Sequence, residues 1–197
     1  TSYNIKIIDE YEVINNYSYL NNQIDSILQI INFHFSNYID TSEISLFNNN
    51  FSIEPIAVSS ELFYLVKKSK KIFILSDGNF DITINPLLKI WGFNHDFKTH
   101  MIPDSLLIDS VKQYINTNNL KLNNQTIQKK DPYIQINLNA IAKGHSVDKI
   151  SQFFKSKEIN NYMIEIGGEI YVSGYNNENQ VWKIGIRNPD LDGNFIL

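Results

Sequence analysis

The run from Asn137 to Asp148 sets an extended apolar stretch, a small-residue turn and a helical pattern in direct succession, and it limits the possible folds more than any other stretch. Ile134 to Leu138 reads as a strand, and the segment from about Ala142 to Lys157 reads as a helix. Between them, Ala140, Ala142 and Gly144 keep side-chain bulk away from the backbone. A phosphate-bearing ligand or a metal can therefore approach main-chain N–H and C=O groups there. Lys143 and Asp148 flank the opening.

The rest of the chain interleaves helices and strands without a regular repeat. Ser2 to Ile8 alternates in the period of a half-buried strand, and from Ser18 to about Asn37 apolar residues recur at three- and four-residue intervals as one stripe. A second helix is expected after Ser59-Ser60, either of which can cap it, with Leu62, Leu65, Val66, Ile72 and Phe73 inward until Asp77-Gly78 ends it. Pro86 opens a short helix from about Leu87 to Trp91. Another runs from about Ser105 to Ile115 with Leu106, Ile108, Val111 and Ile115 inward, and Asn123-Asn124 reads as a turn between short strands. Tyr162 to Ile166 and Glu169 to Ser173 form a pair joined at Gly167-Gly168, and a last strand spans roughly Val181 to Arg187. Asn-rich runs such as Asn48-Asn49-Asn50 read as loops. Adjacent late strands look like hairpins, so the class expected is α+β, a single domain over 1–197 with a mostly antiparallel sheet and packed helices.

Bulk properties exclude several functions. A net charge of −4 lacks the basic face that nucleic acid requires, and the run Lys67-Lys68-Ser69-Lys70-Lys71 reads as a solvated helix face. No apolar run approaches the roughly 20 residues of a membrane-spanning helix. With no cysteine, disulfides and thiolate metal sites are out of reach. His34, His95, His100 and His145 show no metal-ligand spacing, and Lys143-Gly144 is not a P-loop.

Two segments besides the junction can carry chemistry. Gly78-Asn79-Phe80-Asp81 presents backbone N–H groups, an aromatic face and a carboxylate within four residues, although a helix-ending turn before a buried Phe has the same composition. Tyr38, just past the first long helix, offers a ring with a polar tip, although by itself, as one of 11 tyrosines, it reads first as a helix-end core residue.

Taken in order, Tyr38 with Ser42-Glu43-Ile44-Ser45 and Phe47-Asn48, the block from Ser76 to Phe93, the junction Asn137–Asp148, and Trp182 to Pro189 resemble the ApbE family, the FAD:protein FMN transferases. The resemblance extends from Thr1-Ser2-Tyr3, similar to the residues after that family's opening Met-Gly, and stops at Leu197, before the family's final third. It implies an ApbE-like, T-fold-like domain and an enzyme that moves FMN from FAD to a Ser/Thr hydroxyl of an acceptor protein, releasing AMP, with Mg²⁺ assisting. Tyr38, Asn79, Phe80, Asp81, Asn137 and Lys143 are then the FAD contacts, and the Ala140 carbonyl helps to seat Mg²⁺. Catalytic residues and further metal ligands are expected beyond Leu197, so the 197-residue chain alone is expected to be inactive or nearly so.

Asn137 replaces an aspartate usual in the family, and Asn139 replaces a small residue. The first exchange favours an alternative, a catalytically degenerate FAD-binding or scaffold protein of the same fold. Kinship also suggests a membrane-anchored lipoprotein at the periplasmic face of the bacterial inner membrane, its address in a missing leader, with a cytoplasmic location as the alternative.

Overall fold

The computed structural model describes residues 2–8, 17–93, 102–187 and 195–196, so His95, His100 and the Asn188-Pro189 end of the last block lie outside the described residues. In chain order the elements are β1 (Tyr3–Ile7), α1 (Tyr17–Phe35), α2 (Glu43–Asn49), β2 (Ile56–Ala57), α3 (Ser60–Leu75), α4 (Asn85–Ile90), α5 (Ser105–Lys112), β3 (Leu120–Asn123), β4 (Thr126–Lys129), α6 (Asn139–Ser156), β5 (Tyr162–Ile166), β6 (Glu169–Ser173), β7 (Ile186–Arg187) and β8 (Phe195–Ile196). Single 3₁₀ turns occupy Ile82–Ile84 and Thr117–Asn119. Each strand pair among the described residues is antiparallel, in keeping with the α+β expectation. Contacts gather the chain into two compact units, Thr1–Ile27 with Lys143–Leu197, and Leu28–Ala142.

The first unit is built on a sheet of order β1-β5-β6. Tyr3 pairs with Ile166, and Ile166 with Glu169 across the hairpin, whose turn uses Gly167 and Gly168 at φ 54° and 93°, backbone that glycine enters without a Cβ penalty. Tyr162, Ile164 and Ile166 of β5 are buried with Val147, Ile150 and Phe154 of α6 and with Leu20 and Ile24 of α1. The Phe154 and Tyr162 rings meet edge-on at 5.0 Å. The Tyr3 hydroxyl donates to Asp25 Oδ1 at 2.7 Å, and that bond with burial pushes the phenol up to about 12. The strand expected over Val181–Arg187 shrinks to a bridge between Tyr175 and Val181 and the two residues of β7.

In the second unit, Ser59 caps α3 as its side chain accepts from Leu62 N, and Leu62, Leu65 and Val66 are fully buried. Each such side chain contributes on the order of 2 kcal/mol by leaving water. Glu43 joins α2 to that cap, accepting from Ser59 N at 2.5 Å and from Ser59 Oγ at 2.6 Å, with His34 Nδ1 at 2.6 Å. The sheet β2-β4-β3 turns at Asn124, as expected. Lys129 is 1% exposed; its ammonium donates to Asn50 O at 2.8 Å, beyond the C-terminus of α2, and lies over the Phe47 ring.

Four expectations are corrected here. Asn48 and Asn49 belong to α2 and not to a loop, because Ser42 caps that helix by accepting from Ser45 N, and Ile44, Phe47 and Asn48 form its buried face. Residues 134–138 are extended but join no ladder; side chains satisfy part of their backbone instead. α5 ends at Lys112 and has no fully buried residue: Leu106, expected inward, is 77% exposed, while Ile108 and Val111 are half-buried. Within the basic run, Lys70 turns inward to donate to Leu120 O, and burial lowers its pKa.

Candidate functional site

Three pieces of the second unit meet around the extended run 134–138. The first is the end of α1. Ser42 Oγ and Ser45 Oγ both donate to Ser36 O, at 2.6 and 3.4 Å, and Tyr38 N donates to Ser36 Oγ at 3.2 Å. This turn leaves Tyr38 52% exposed while Asn37 Nδ2 donates to Ile136 O at 3.2 Å.

The second piece is Asn48. Its carboxamide pairs with Ile136 as a neighbouring strand would, Nδ2 donating to Ile136 O at 2.8 Å and Oδ1 accepting from Ile136 N at 2.7 Å. Both residues are buried, so no water replaces those bonds. Asn48→Ala is expected to lower the unfolding free energy by about 2 kcal/mol in urea titration, since Ile136 N–H loses its acceptor in an apolar setting.

The third piece runs from Asn79 to Asn85. Asn79 is exposed, its Nδ2 donating to Ser76 O at 2.8 Å, and Phe80 is half-buried with its N–H on Ser76 Oγ. Asp81 caps the 3₁₀ turn: Oδ1 accepts from Thr83 N at 2.7 Å, Thr83 Oγ1 at 2.6 Å and Thr117 Oγ1 at 2.7 Å, and Oδ2 from Thr117 N at 3.1 Å. Ile82 O then accepts from Asn137 N at 2.7 Å, which ties this piece to the junction.

Asn137 is 8% exposed and stands in a chain of amides. Its Oδ1 accepts from Asn139 N at 2.9 Å, its Nδ2 donates to Asn85 Oδ1 at 3.2 Å, and Asn85 Nδ2 donates to Gln135 Oε1 at 3.2 Å. An aspartate at 137 would face the Asn85 oxygen, so the neutral amide and Asn85 form a matched pair.

These pieces border a cleft of about 230 Å³, to which Tyr38 and Asn137 both contribute. Asn79, Phe80 and Asp81 are not part of its lining; they connect to it through Ile82. Ala140 is exposed in the first turn of α6, which begins three residues earlier than expected. Lys143 groups with the first unit, where Nζ donates to Gly167 O at 3.0 Å and sits 3.6 Å from Glu169 Oε1. Both side chains of that ion pair are close to half exposed, which makes it a weak, screened contact.

Sequence reasoning missed Asn37, Asn85, Lys89 and Phe93, which also line the cleft. Asn37 and Asn85 sit beside residues already singled out, Tyr38 and Pro86, and a buried Asn before a helix-opening Pro was a usable signal. Lys89 carried none, because a lysine on a short helix ordinarily faces water. Among the described residues no three His, Asp or Glu side chains gather as a metal site. The Asp81 oxygens are taken by threonines and Asn137 Oδ1 by a backbone N–H, so these residues do not fit Mg²⁺ by themselves.

The ApbE family model matches residues 1–196. The chain is 34% identical over 192 residues to the FAD:protein FMN transferase of Vibrio cholerae, covering 98% of this chain and 57% of that protein. It is 35% identical over 164 residues to that of Chlamydia muridarum, covering 82% of this chain and 51% of the relative. Among solved structures, the flavin transferase ApbE from Vibrio cholerae superposes with a TM-score of 0.88 at 32% identity, covering 98% of this chain and 62% of that one. The apo flavinyl transferase ApbE of Pseudomonas stutzeri gives 0.86 at 25% identity, covering 94% and 62%. The chain thus spans little more than half the length of these curated relatives, and it belongs to the ApbE family.

Proposed function

We propose that this chain is the FAD-binding part of an FAD:protein FMN transferase. The observation that carries the reading is the convergence of Tyr38, Asn85 and Asn137 on one cleft in a member of this family. In the reaction, a Ser/Thr hydroxyl oxygen of an acceptor protein bonds to the FMN phosphorus. The bond from that phosphorus to the bridging oxygen breaks, AMP leaves with that oxygen, and the hydroxyl proton passes to solvent or a base.

This chain's residues would bind and orient. Tyr38 offers a ring face to the flavin, and Asn137 keeps one amide proton beyond the one given to Asn85. Asn79, Phe80 and Lys143 serve the dinucleotide from their own segments, with Asp81 holding the 3₁₀ turn in shape. A divalent ion, where it takes part, would supply charge neutralisation at the phosphates. At Ala140 it would need water and phosphate oxygens to complete its shell. Residence at the periplasmic face of the inner membrane, near the acceptor protein, belongs to the same proposal. No helix among the described residues is long and apolar enough to cross a membrane.

The test is thermal unfolding of the purified chain with FAD, with AMP and flavinylated acceptor peptide measured together. FAD at a hundred times its Kd is expected to add about 2.7 kcal/mol of stability. No FAD-dependent shift overturns the proposal. The Asn85–Asn137 pair supports the second reading, FAD binding without transfer. Asn137→Asp tested in a chain of the family's full length separates them: a large gain in transfer marks a degenerate site.

A further inference from the structure

α3 turns one stripe of side chains into the core and a second one outward, and the outward stripe is not that of an ordinary solvated helix. At about 100° per residue, the buried Leu62, Leu65, Val66 and Ser69 fall on one arc, while Tyr64, Lys67, Lys68, Lys71, Ile74 and Leu75 fall within about 120° on the opposite side. Charge on the outer arc has one sign. Lys67 and Lys71 are exposed, no described residue bonds to either or pairs with its charge, and Lys68 lies over the Tyr64 ring at 6.0 Å. Glu61 stands in the first turn outside that arc and Asp77 beyond the end of the helix, so the arc itself is purely basic. Tyr64, Ile74 and Leu75 are exposed as well, Leu75 by 73%. The lysines thus lie between an aromatic ring and an Ile-Leu tip about 15 Å apart, on a chain whose net charge is −4.

A helix face made only for water carries acids among its lysines and no bulky apolar tip. Nucleic acid answers the charge but offers Ile74 and Leu75 nothing to enter. A bilayer of anionic phospholipid meets both, its phosphates receiving the ammonium groups and its acyl boundary the apolar side chains, while the long lysine stems keep the charge at headgroup level. We propose that the outward stripe of α3 is a membrane-contact face, on which the helix lies parallel to the surface of an anionic phospholipid bilayer. Lys70, which turns inward to Leu120 O, takes no part. The contact stands on α3 alone and does not depend on FAD binding.

The test is co-sedimentation of the purified 197-residue chain with vesicles of phosphatidylcholine, alone or mixed with phosphatidylglycerol. Wild type is expected to partition onto the mixed vesicles, not onto the neutral ones, and to be released by high salt. Lys67→Gln with Lys71→Gln is expected to weaken that partition about thirtyfold, roughly fivefold for each charge removed at the surface. Ile74→Ser with Leu75→Ser is expected to weaken it at least about tenfold. Lys6→Gln with Lys157→Gln, which removes the same charge from exposed sites of the first unit, is expected to change it less than about twofold. The substituted positions are all exposed, and equal urea-unfolding midpoints verify that each variant is folded. Failure of wild type to bind the mixed vesicles overturns the proposal. So does an equal loss in the two lysine pairs, which would make the attraction one of overall charge, or no loss on changing Ile74 and Leu75. Capture by heparin without vesicle binding overturns it as well and gives the face to a soluble polyanion. None of these outcomes alters the FAD-binding proposal.

Discussion

Asp81→Ala is expected to cost about 4 kcal/mol of folding free energy, the largest single effect in the second unit. The carboxylate accepts four hydrogen bonds, from the backbone and hydroxyl groups of Thr83 and Thr117, and both threonines are fully buried. Charge-assisted bonds of this kind are each worth roughly 1.5–3 kcal/mol, with less than additive sums. Alanine leaves two N–H groups and two hydroxyls without their acceptor. Thr117 Oγ1 also accepts from Ile82 N at 3.2 Å, and Ile82 O holds Asn137, so the damage reaches the cleft. Asp81→Asn keeps one acceptor oxygen and is expected to lose about half as much, on the order of 2 kcal/mol. Urea unfolding of the three proteins measures the series, and a loss under about 1 kcal/mol for alanine would contradict this account.

Asp81 also carries a structural role that the family resemblance alone does not reveal. Kinship makes it an FAD contact; the coordinates show its oxygens occupied by threonines. Flavin binding by Asp81→Asn, compared at a temperature where both proteins are folded, decides how much of its role is scaffolding.

The legible elements were those whose signal is local. The stripe of α1, the Ser59 cap of α3, the Pro86 opening of α4 and the β3–β4 and β5–β6 hairpins depend on short-range periodicity and turn chemistry. What escaped depends on partners far along the chain. Residues 134–138 resemble a strand in composition, yet their partners are the amides of Asn37 and Asn48, 99 and 88 residues away at Ile136. α2 was hidden because its Asn-rich end mimics a loop, and only the burial of Asn48 against Ile136 explains an asparagine within a helix. The site followed the same division. Tyr38 and Asn137 were found through motif blocks, whereas Lys89 acquires meaning only from the cleft it borders.

A buried lysine without a carboxylate makes the second large prediction one of pH. Burial pushes the Lys129 ammonium down to about 8 from an ordinary 10.5, even though Asn50 O and the Phe47 ring receive it. Between those two values the unfolded chain holds a proton that the folded chain has released. Unfolding free energy therefore rises with pH across the window from 8 to 10.5, by up to about 3 kcal/mol from this residue. Lys70 and Lys89, also lowered, add smaller slopes of the same sign. Tyr3 acts oppositely: with its phenol raised to about 12, the stability it contributes is lost between 10 and 12. Stability should accordingly climb from pH 8, crest near pH 10 and fall. Lys129→Met removes most of the climb and leaves the fall, which urea unfolding at pH 7, 8, 9, 10 and 11 resolves. A wild-type curve flat from pH 8 to 10 would mean that the carbonyl and the ring fully compensate the desolvated charge. Because α2 carries Asn48 and ends at this lysine, FAD affinity measured along the same series shows whether the helix that clamps Ile136 loosens when the charge is present.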